Sequence, residues 1–250
     1  MISYSHGVRS VLITGVSKGL GSAFFEEFVG AGDRVLAIGR RFTENQYARE
    51  RAEPQRIRLR VTDLAYPASL PTAAELASFV HGASEIILIH NAATVRPIGA
   101  IGTLPPDQVA YAASVNFVAP ILLTNALLAT GVIRPTGEGA GAAAVPLTVL
   151  FISSAAAHRP VGGWAVYAAT KRGAEAFFDG LSAQHAEDGR VRVININPGV
   201  MDTEMQEQLR EYAKSGVYFP DGERFVSLHT HRELPHPLEV ARKIIADTLH

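Results

Sequence analysis

The stretch SVLITGVSKGLGSAFFEEFVGAG, from Ser10 to Gly32, joins an apolar, β-branched run to a glycine-rich turn and a helical run. Gly15 permits a tight turn, Gly19 lets the backbone approach a pyrophosphate, and Gly21 allows the helix to pack closely. The unpaired N–H groups at the start of such a helix bind phosphate. The stretch therefore predicts the first strand, turn and helix of a dinucleotide-binding fold. A tight turn without a ligand is the alternative, because 22 glycines make loose matches easy to find.

Five more apolar runs follow and complete a set of six predicted strands. The six runs lie at 10–15, 34–39, 56–61, 85–90, 147–152 and 190–195. Several are apolar at both odd and even positions, as in strands covered on both faces, and each gap is long enough for a crossover helix. The pattern predicts a single α/β domain over residues 1–250, with a parallel, doubly wound, Rossmann-like sheet. Ligands of such sheets bind beyond the carboxyl ends of the strands.

Composition excludes several classes of protein and partner. The formal net charge of -1 gives no electrostatic reason to expect nucleic acid or an anionic membrane surface. The chain has no Cys, which rules out disulfides, Cys-ligated metal sites and thiol catalysis. The first ten residues lack the apolar run of a signal peptide, and no stretch stands out with the roughly 20 apolar residues of a membrane span. We expect a cytoplasmic protein with no nucleic-acid or membrane partner.

Two segments depart from the alternation of strands and helices. Residues 133–146, IRPTGEGAGAAAVP, are rich in Gly, Ala and Pro and predict a loop or an extended helix end. From about 200 to 237 the periodicity is irregular, and Gly, Pro and His interrupt it. We interpret this second segment as a mobile lid or substrate loop of the single domain.

The second strand ends with Arg40 and Arg41, where an NAD-selective site places an Asp or Glu against the ribose 2′-hydroxyl. With Lys18 of the glycine turn, the two arginines can surround a 2′-phosphate through charge-assisted contacts. This pattern predicts NADPH/NADP+ as the cofactor. A solvated basic pair at the start of a loop is the alternative.

Tyr167 and Lys171 lie four residues apart in a helical stretch, so both side chains fall on one face. The ammonium of Lys171 is a compact charge that can lower the pKa of a neighbouring phenol. Ser154 follows the fifth strand, and its hydroxyl can donate a hydrogen bond to a carbonyl oxygen. Asn91 follows the fourth strand, and Asn116 stands inside a helical run, where Asn is a poor helix former and a functional role is the better explanation.

Three histidines, His229, His231 and His236, raise the question of a metal site. No carboxylate cluster completes a ligand set around them. Loop histidines in contact with solvent or substrate are therefore the preferred interpretation, and no metal is predicted.

Jointly, these motifs resemble the short-chain dehydrogenase/reductase family over essentially the whole chain. The family's TGxxxGxG stands here as TGVSKGLG, its adenine-site Asp as Asp63, its NNAG as HNAA at 90–93, and its catalytic Ser and YxxxK as Ser154, Tyr167 and Lys171. Its PG segment stands as NPGV at 197–200, followed by Thr203. The resemblance implies a cofactor site made of Gly15, Ser17, Lys18, Gly19, Leu20, Gly21, Arg40, Arg41, Asp63, Leu64, Asn91, Tyr167, Lys171, Pro198, Gly199, Val200 and Thr203.

Two segments, PGVMDTEMQ at 198–206 and GGWAVYAATK at 162–171, resemble the sepiapterin reductase and benzil reductase branch of the family. The chain departs from the family in two places. His90 and Ala93 replace the first Asn and the last Gly of NNAG, and no seventh strand follows the final helical run PLEVARKIIADTLH. The last strand of the family is therefore expected to be absent, which weakens the sepiapterin assignment.

The resemblance implies hydride transfer from NADPH to a carbonyl carbon while Tyr167 gives its proton to the oxygen. Lys171 would lower the pKa of Tyr167 and bind the nicotinamide ribose, Ser154 would polarise the carbonyl, and Asn116 would hold a water that links Lys171 to solvent. These four residues are the predicted catalytic set.

The expected substrate is an apolar, aromatic or vicinal diketone that is reduced to a hydroxy ketone, and a pterin of the sepiapterin type is the alternative. His158, Trp164 and Met205 lie near the expected mouth of the site and are predicted substrate contacts. For Trp164 and Met205, simple core packing is an equally good explanation.

An alternative of another class is a non-catalytic NADP(H)-binding sensor, because the fold alone does not establish turnover. The complete catalytic set favours the enzyme, since a sensor needs a phosphate site but no proton donor. The resemblance also implies a homodimer built on the helices that carry Asn116 and Tyr167, with Phe177 and Phe178 as apolar anchors.

Overall fold

The structure, a computed structural model, describes residues 7–133, 145–187, 189–231 and 233–249. Most of the predicted loop at 133–146 lies outside these ranges. The described residues form the strands β1 Val8–Thr14, β2 Arg34–Gly39, β3 Ile57–Val61, β4 Ala83–His90, β5 Leu147–Ile152 and β6 Val191–Ile196. They also form the helices α1 Gly19–Gly30, α2 Glu44–Ala52, α3 Ala73–Val80, α4 Pro106–Ala113, α5 Ala119–Leu128, α6 Ala165–Gln184, α7 Glu204–Lys214, α8 Gly222–Thr230 and α9 Pro237–Thr248.

The strands form one parallel sheet in the order β3-β2-β1-β4-β5-β6. β1 pairs with β2 through the register Val11–Val35, and with β4 through the register Leu12–Leu88. The predicted α/β fold with a doubly wound parallel sheet is confirmed, and each strand lies within a few residues of its predicted position. In the described part of the chain, the sheet has no strand beyond β6.

Helices cover both faces of the sheet because neighbouring residues of a strand point in opposite directions. In β1, Leu12 belongs to the core on one face, together with Phe178 of α6. Ile13 belongs to the core on the other face, together with Phe24 of α1 and Ile244 of α9. Each such side chain stabilises the fold by roughly 1.5 to 3 kcal/mol through burial.

The chain reverses its direction of travel across the sheet between β1 and β4. From β1 it builds outward through β2 to β3, and after α3 it returns to the middle and builds outward through β5 to β6. The connections that leave β1 and β4 therefore diverge and open a crevice beyond the carboxyl ends of these strands. The candidate site lies in this crevice.

The segment predicted as an irregular lid, about 200–237, contains the two helices α7 and α8. The sequence of α7 is strongly polar, so its single apolar stripe is hard to recognise. The stripe consists of Met205, Leu209 and Tyr212, which are spaced by four and three residues. Leu209 is fully buried and packs in an apolar cluster that includes Trp164 and Phe219. The segment is therefore more regular than its composition indicated.

One helical stretch, Pro106–Leu128, is long and apolar enough by length and composition to cross a membrane, with a mean hydropathy of 1.5. This result corrects the expectation that no stretch approaches a membrane span. Leu123 and Leu127 of this stretch are buried in the core beside the sheet. Core helices of soluble proteins pass the same test, so the stretch is only a weak indication of a membrane span.

Candidate active site

A cleft of about 1390 Å³ lies at the carboxyl ends of the strands. Small-molecule sites are commonly ~300 to 1,000 Å³, so this cleft has room for a dinucleotide and a second molecule. Most of the predicted site residues line it, namely Gly15, Ser17, Lys18, Gly19, Leu20, Arg40, Arg41, Asp63, Leu64, Asn91, Ser154, Trp164, Tyr167, Lys171, Pro198, Gly199, Val200, Thr203 and Met205. Gly21, Asn116 and His158 do not line it.

Neighbouring groups hold the turn after β1 in one conformation. Gly15 has a φ of 75°, and the side-chain amide of Asn91 donates hydrogen bonds to the carbonyls of Thr14 and Gly15 at 3.1 and 2.9 Å. A Cβ on Gly21 would lie 2.1 Å from the Gly15 carbonyl oxygen, so α1 can pack this closely only with glycine there. The N-terminus of α1 at Gly19 faces the cleft. These residues fit a dinucleotide, whose pyrophosphate needs such a cradle.

His90, which replaces the first Asn of the family motif, is a core residue. Its side chain is buried, and its Nε2 lies 2.8 Å from the Thr124 hydroxyl. Burial lowers the pKa of His90 to about 3, and the charge of Lys171 acts in the same direction. The imidazole is therefore neutral at physiological pH, and the replacement leaves Asn91 free to clamp the glycine turn.

Arg40 and Asp63 are joined by Tyr111 of α4. The Arg40 guanidinium donates to the Tyr111 hydroxyl at 2.8 Å, and this hydroxyl donates to a carboxylate oxygen of Asp63 at 3.2 Å. No sequence motif marked Tyr111, because it is far along the chain from both partners and only the fold brings them together. The bridge orients Arg40 at one end of the cleft.

Lys18 forms an ion pair with Glu204 of α7 at 2.5 Å, and both side chains are about half exposed. Lys18 was predicted to contribute to a 2′-phosphate site. In the structure its ammonium is shared with a carboxylate, so a phosphate would compete with Glu204 for it.

Ser154, Tyr167 and Lys171 meet on one wall of the cleft, where β5 ends and α6 begins. Burial raises the pKa of the Tyr167 phenol to about 12, and the neighbouring hydroxyl of Ser154 opposes this rise. The phenol is therefore protonated at neutral pH and able to donate its proton.

Lys171 is buried beneath the cleft wall. Its Nζ donates to the main-chain carbonyl of Ile152 at 2.6 Å and lies 4.8 Å from the centre of the Phe151 ring. Burial lowers the pKa of Lys171 to about 7, and the carboxylate of Glu175 opposes this change. Burial of the phenol dominates the pKa of Tyr167. The expected lowering of this pKa by Lys171 stays a prediction.

Asn116 lies in a π-helical turn, Ser114–Val118, between α4 and α5. Its amide donates to the Thr94 carbonyl and the Thr170 hydroxyl, and its oxygen accepts from the Thr94 N–H. Such turns occur frequently at functional sites. Asn116 ties the loop after β4 to α6 immediately before Lys171. Both amide hydrogens of Asn116 already have acceptors within the protein. The predicted role of Asn116 in holding a water stays a prediction.

Glu175, one helical turn beyond Lys171, was not predicted. Its buried carboxylate accepts from the Ser153 hydroxyl at 2.5 Å and lies 2.9 Å from Nε2 of His158. Its spacing of four residues from Lys171 could have identified it. His158 was expected to contact substrate, but its ring lies between Glu175 and Arg172 and not in the cleft. A buried carboxylate needs such a partner, which explains the difference.

Trp164 combines the two roles that the sequence left open, since it lines the cleft and is also packed into an apolar cluster. Its ring lies 5.0 Å from that of Tyr167, 5.6 Å from Phe219 and 5.5 Å from Phe225, between ring centres. Met205 lines the same cleft and packs against this cluster. The wall beside Tyr167 is therefore aromatic and apolar.

Two of the three histidines considered for a metal site, His231 and His236, make other contacts. His231 Nδ1 lies 2.9 Å from the Ser227 carbonyl at the end of α8, and His236 Nδ1 accepts from the Leu238 N–H at the start of α9. Among the residues that the structure describes, no group of three His, Cys, Asp or Glu side chains is placed to hold a metal ion.

A family model described as short chain dehydrogenase matches residues 9–214 of the chain. The chain belongs to the short-chain dehydrogenase family. It is 32% identical over 243 residues to a benzil reductase ((S)-benzoin forming) of Bacillus cereus, covering 95% of this chain and 92% of that protein. It is 31% identical over 132 residues to the sepiapterin reductase of Bos taurus, covering 52% of this chain and 45% of that protein.

Solved structures agree with this assignment. The KRED1-Pglu enzyme superposes with a TM-score of 0.78 at 25% identity, covering 97% of this chain and 95% of that chain. A short-chain dehydrogenase/reductase from Burkholderia vietnamiensis superposes with a TM-score of 0.63 at 31% identity, covering 83% and 92%. This short-chain dehydrogenase is therefore an oxidoreductase of CH–OH and C=O groups that uses a nicotinamide cofactor, which favours the enzyme over the non-catalytic sensor.

Proposed function

We propose that the protein is an NADPH-dependent carbonyl reductase that converts an apolar or aromatic vicinal diketone to a hydroxy ketone. The observation that carries this proposal is the grouping of Ser154, Tyr167 and Lys171 on one wall of the cleft, which continues into Trp164. The similarity to a benzil reductase along nearly the whole chain supports the substrate class.

The chain's own groups would handle the proton and the orientation of the carbonyl. Tyr167, protonated because burial raises its pKa to about 12, gives its proton to the carbonyl oxygen. Ser154 donates a hydrogen bond to the same oxygen and keeps the carbonyl beside the phenol. Lys171 places a positive charge under this pair, and Asn116 fixes the loop that faces it. The bound nicotinamide cofactor supplies the hydride.

The cofactor would lie across the carboxyl ends of β1 and β4. The glycine turn and the N-terminus of α1 would hold its pyrophosphate, and Arg40, Arg41 and Lys18 its 2′-phosphate. Asp63 and Leu64 would contact the adenosine. Val200 and Thr203, with the Pro198–Gly199 turn, would contact the nicotinamide.

Replacing Arg40 with Asp is expected to reverse the cofactor preference toward NADH, because a repelling carboxylate would then face the 2′-phosphate. Loss of a charge-assisted contact costs ~1.5 to 3 kcal/mol, or roughly 10- to 100-fold in NADPH affinity. Binding of both cofactors is measured by fluorescence titration. Arg58→Asp, an equal charge change on β3 outside the cleft, is the control. Unchanged NADPH affinity in Arg40→Asp would contradict the proposed cofactor site.

The substrate proposal predicts a larger kcat/KM for benzil or 1-phenyl-1,2-propanedione than for sepiapterin, measured with NADPH. A pterin needs a carboxylate against its guanidine-like edge, and three acidic residues of the segment 200–237 are candidates for it: Asp202, Glu204 and Asp221. Of these, Glu204 alone lines the cleft, and it is paired with Lys18. A clear advantage for sepiapterin would overturn the diketone assignment and leave the reductase chemistry intact.

We also propose a cytoplasmic homodimer formed through α4, α5 and α6. One predicted anchor is wrong, because Phe178 is fully buried between the sheet and α6 and packs on Phe151. Phe177, about 100° away around the helix, is only partly buried and remains available. A monomer mass in sedimentation equilibrium would contradict the dimer.

A further inference from the structure

Three arginines from different parts of the chain, Arg96, Arg159 and Arg224, line the cleft and form what we call the arginine rim. Arg96 lies in the loop after β4, Arg159 between β5 and α6, and Arg224 in α8. All three side chains belong to exposed residues. No lysine or arginine cluster is visible in the sequence of this region, because the three come together only in the fold.

The arginine rim lies at the substrate end of the cleft. Val95, next to Arg96, and Phe225, next to Arg224, are buried in the apolar cluster that contains Trp164 and Tyr167. The Arg96 guanidinium also lies 5.5 Å from the centre of the Tyr212 ring on α7. Arg159 follows the catalytic Ser154 by five residues in the same loop. Arg40, one of the proposed 2′-phosphate residues, follows β2 and is bonded to Tyr111, which also contacts Asp63.

The charge of the rim is not balanced by the described protein. Arg96, Arg159 and Arg224 form no ion pair with a described carboxylate, whereas Lys18 in the same cleft is paired with Glu204. Asp107 also lines the cleft and forms no ion pair with them. The charged groups of the cofactor are already assigned to the glycine turn and the opposite end of the cleft. The rim therefore provides positive charge that no carboxylate of the described residues pairs with.

We propose that the arginine rim binds a carboxylate carried by the substrate, away from the reacting carbonyl. This inference rests on the proposed function and narrows it: the preferred substrate is an apolar or aromatic vicinal diketone that bears a carboxylate at its far end. Guanidinium groups suit this role because their paired N–H donors match the two oxygens of a carboxylate. The aromatic wall at Trp164 would hold the flat part of the substrate between the carboxylate and Tyr167.

The test compares benzil with 4-carboxybenzil, which differ by one carboxylate. Trp164 is the one tryptophan of the sequence, so quenching of its fluorescence reports binding without turnover. We expect 4-carboxybenzil to bind about tenfold more tightly than benzil, the size of one charge-assisted contact. The ratio of the two Kd values should fall to about one in the triple variant Arg96→Gln, Arg159→Gln, Arg224→Gln. It should be retained in the control Arg58→Gln, on β3 outside the cleft.

Salt provides a second measurement that does not depend on any substitution. Raising NaCl from 0.05 to about 0.5 M should weaken binding of 4-carboxybenzil and leave that of benzil nearly unchanged, because screening acts on the charged contact alone. Equal Kd values for the two probes in the unmodified protein would overturn the inference, as would a triple variant that keeps the preference. If neither probe were turned over but 4-carboxybenzil still bound tightly, the proposed reductase function would be contradicted. The proposed binding of a carboxylate by the arginine rim would still stand.

Discussion

Replacing Tyr167 with Phe is expected to reduce kcat for diketone reduction by ~10²- to 10⁴-fold, the range for loss of a general acid. The phenol is the proposed proton donor to the carbonyl oxygen, and it is protonated at neutral pH because burial raises its pKa to about 12. The Phe ring keeps the contact with Trp164, whose centre lies 5.0 Å from that of Tyr167. Binding of NADPH and the folded state should therefore be retained.

The measurement is steady-state kinetics with NADPH, together with NADPH titration and thermal unfolding of each variant. Tyr47→Phe is the matched control, because it removes the same hydroxyl from α2, outside the cleft. The control should keep its kcat. A Tyr167→Phe enzyme with most of its kcat would show that another group supplies the proton.

Replacing Lys171 with Arg is expected to reduce kcat by roughly 10²-fold or more, although the positive charge is kept. Lys171 is 2% exposed, and its compact ammonium fits between the Ile152 carbonyl and the Phe151 ring. The planar guanidinium is larger and cannot enter this space without moving the end of β5, which Ser154 follows by two residues. Lys243→Arg, on the exposed side of α9, is the control and should have unchanged kinetics.

The pH profile separates the charge of Lys171 from its shape. Burial lowers the pKa of Lys171 to about 7, so the ammonium loses its proton as pH rises through this value. We expect kcat of the unmodified enzyme to fall on the alkaline side of this pKa. The Lys171→Arg enzyme stays charged there and should show low activity without this fall. A fall at the same pH in both enzymes would assign it to another group.

The sequence was sufficient for the fold because the signals that set it are local. Each of the six strands is a short run rich in β-branched or apolar residues, and their spacing leaves room for crossover helices, so a parallel sheet followed. Gly15 and Gly21 were readable for the same reason, since the turn needs a positive φ at Gly15 and its close contact with α1 excludes a Cβ at Gly21. The exception was α7, whose apolar stripe is only three residues long.

The catalytic motif was also readable from the sequence, because Tyr167 and Lys171 share one helix and a fixed spacing of four residues. The interactions that surround these two residues could not be read from the sequence. Tyr111 meets Arg40 and Asp63 across elements far apart in the chain, and the buried carboxylate of Glu175 draws His158 away from the cleft.

Spacing along one element thus determined what the sequence showed about this protein: the strands, the glycine turn and the Tyr–Lys pair. Only the tertiary structure decided which charged groups line the cleft, since Arg96, Arg159 and Arg224 reach it from three separate segments. The physical reason is that the hydrogen-bond geometry of a helix or strand fixes which neighbours share a face, whereas contacts between elements depend on how the whole core packs.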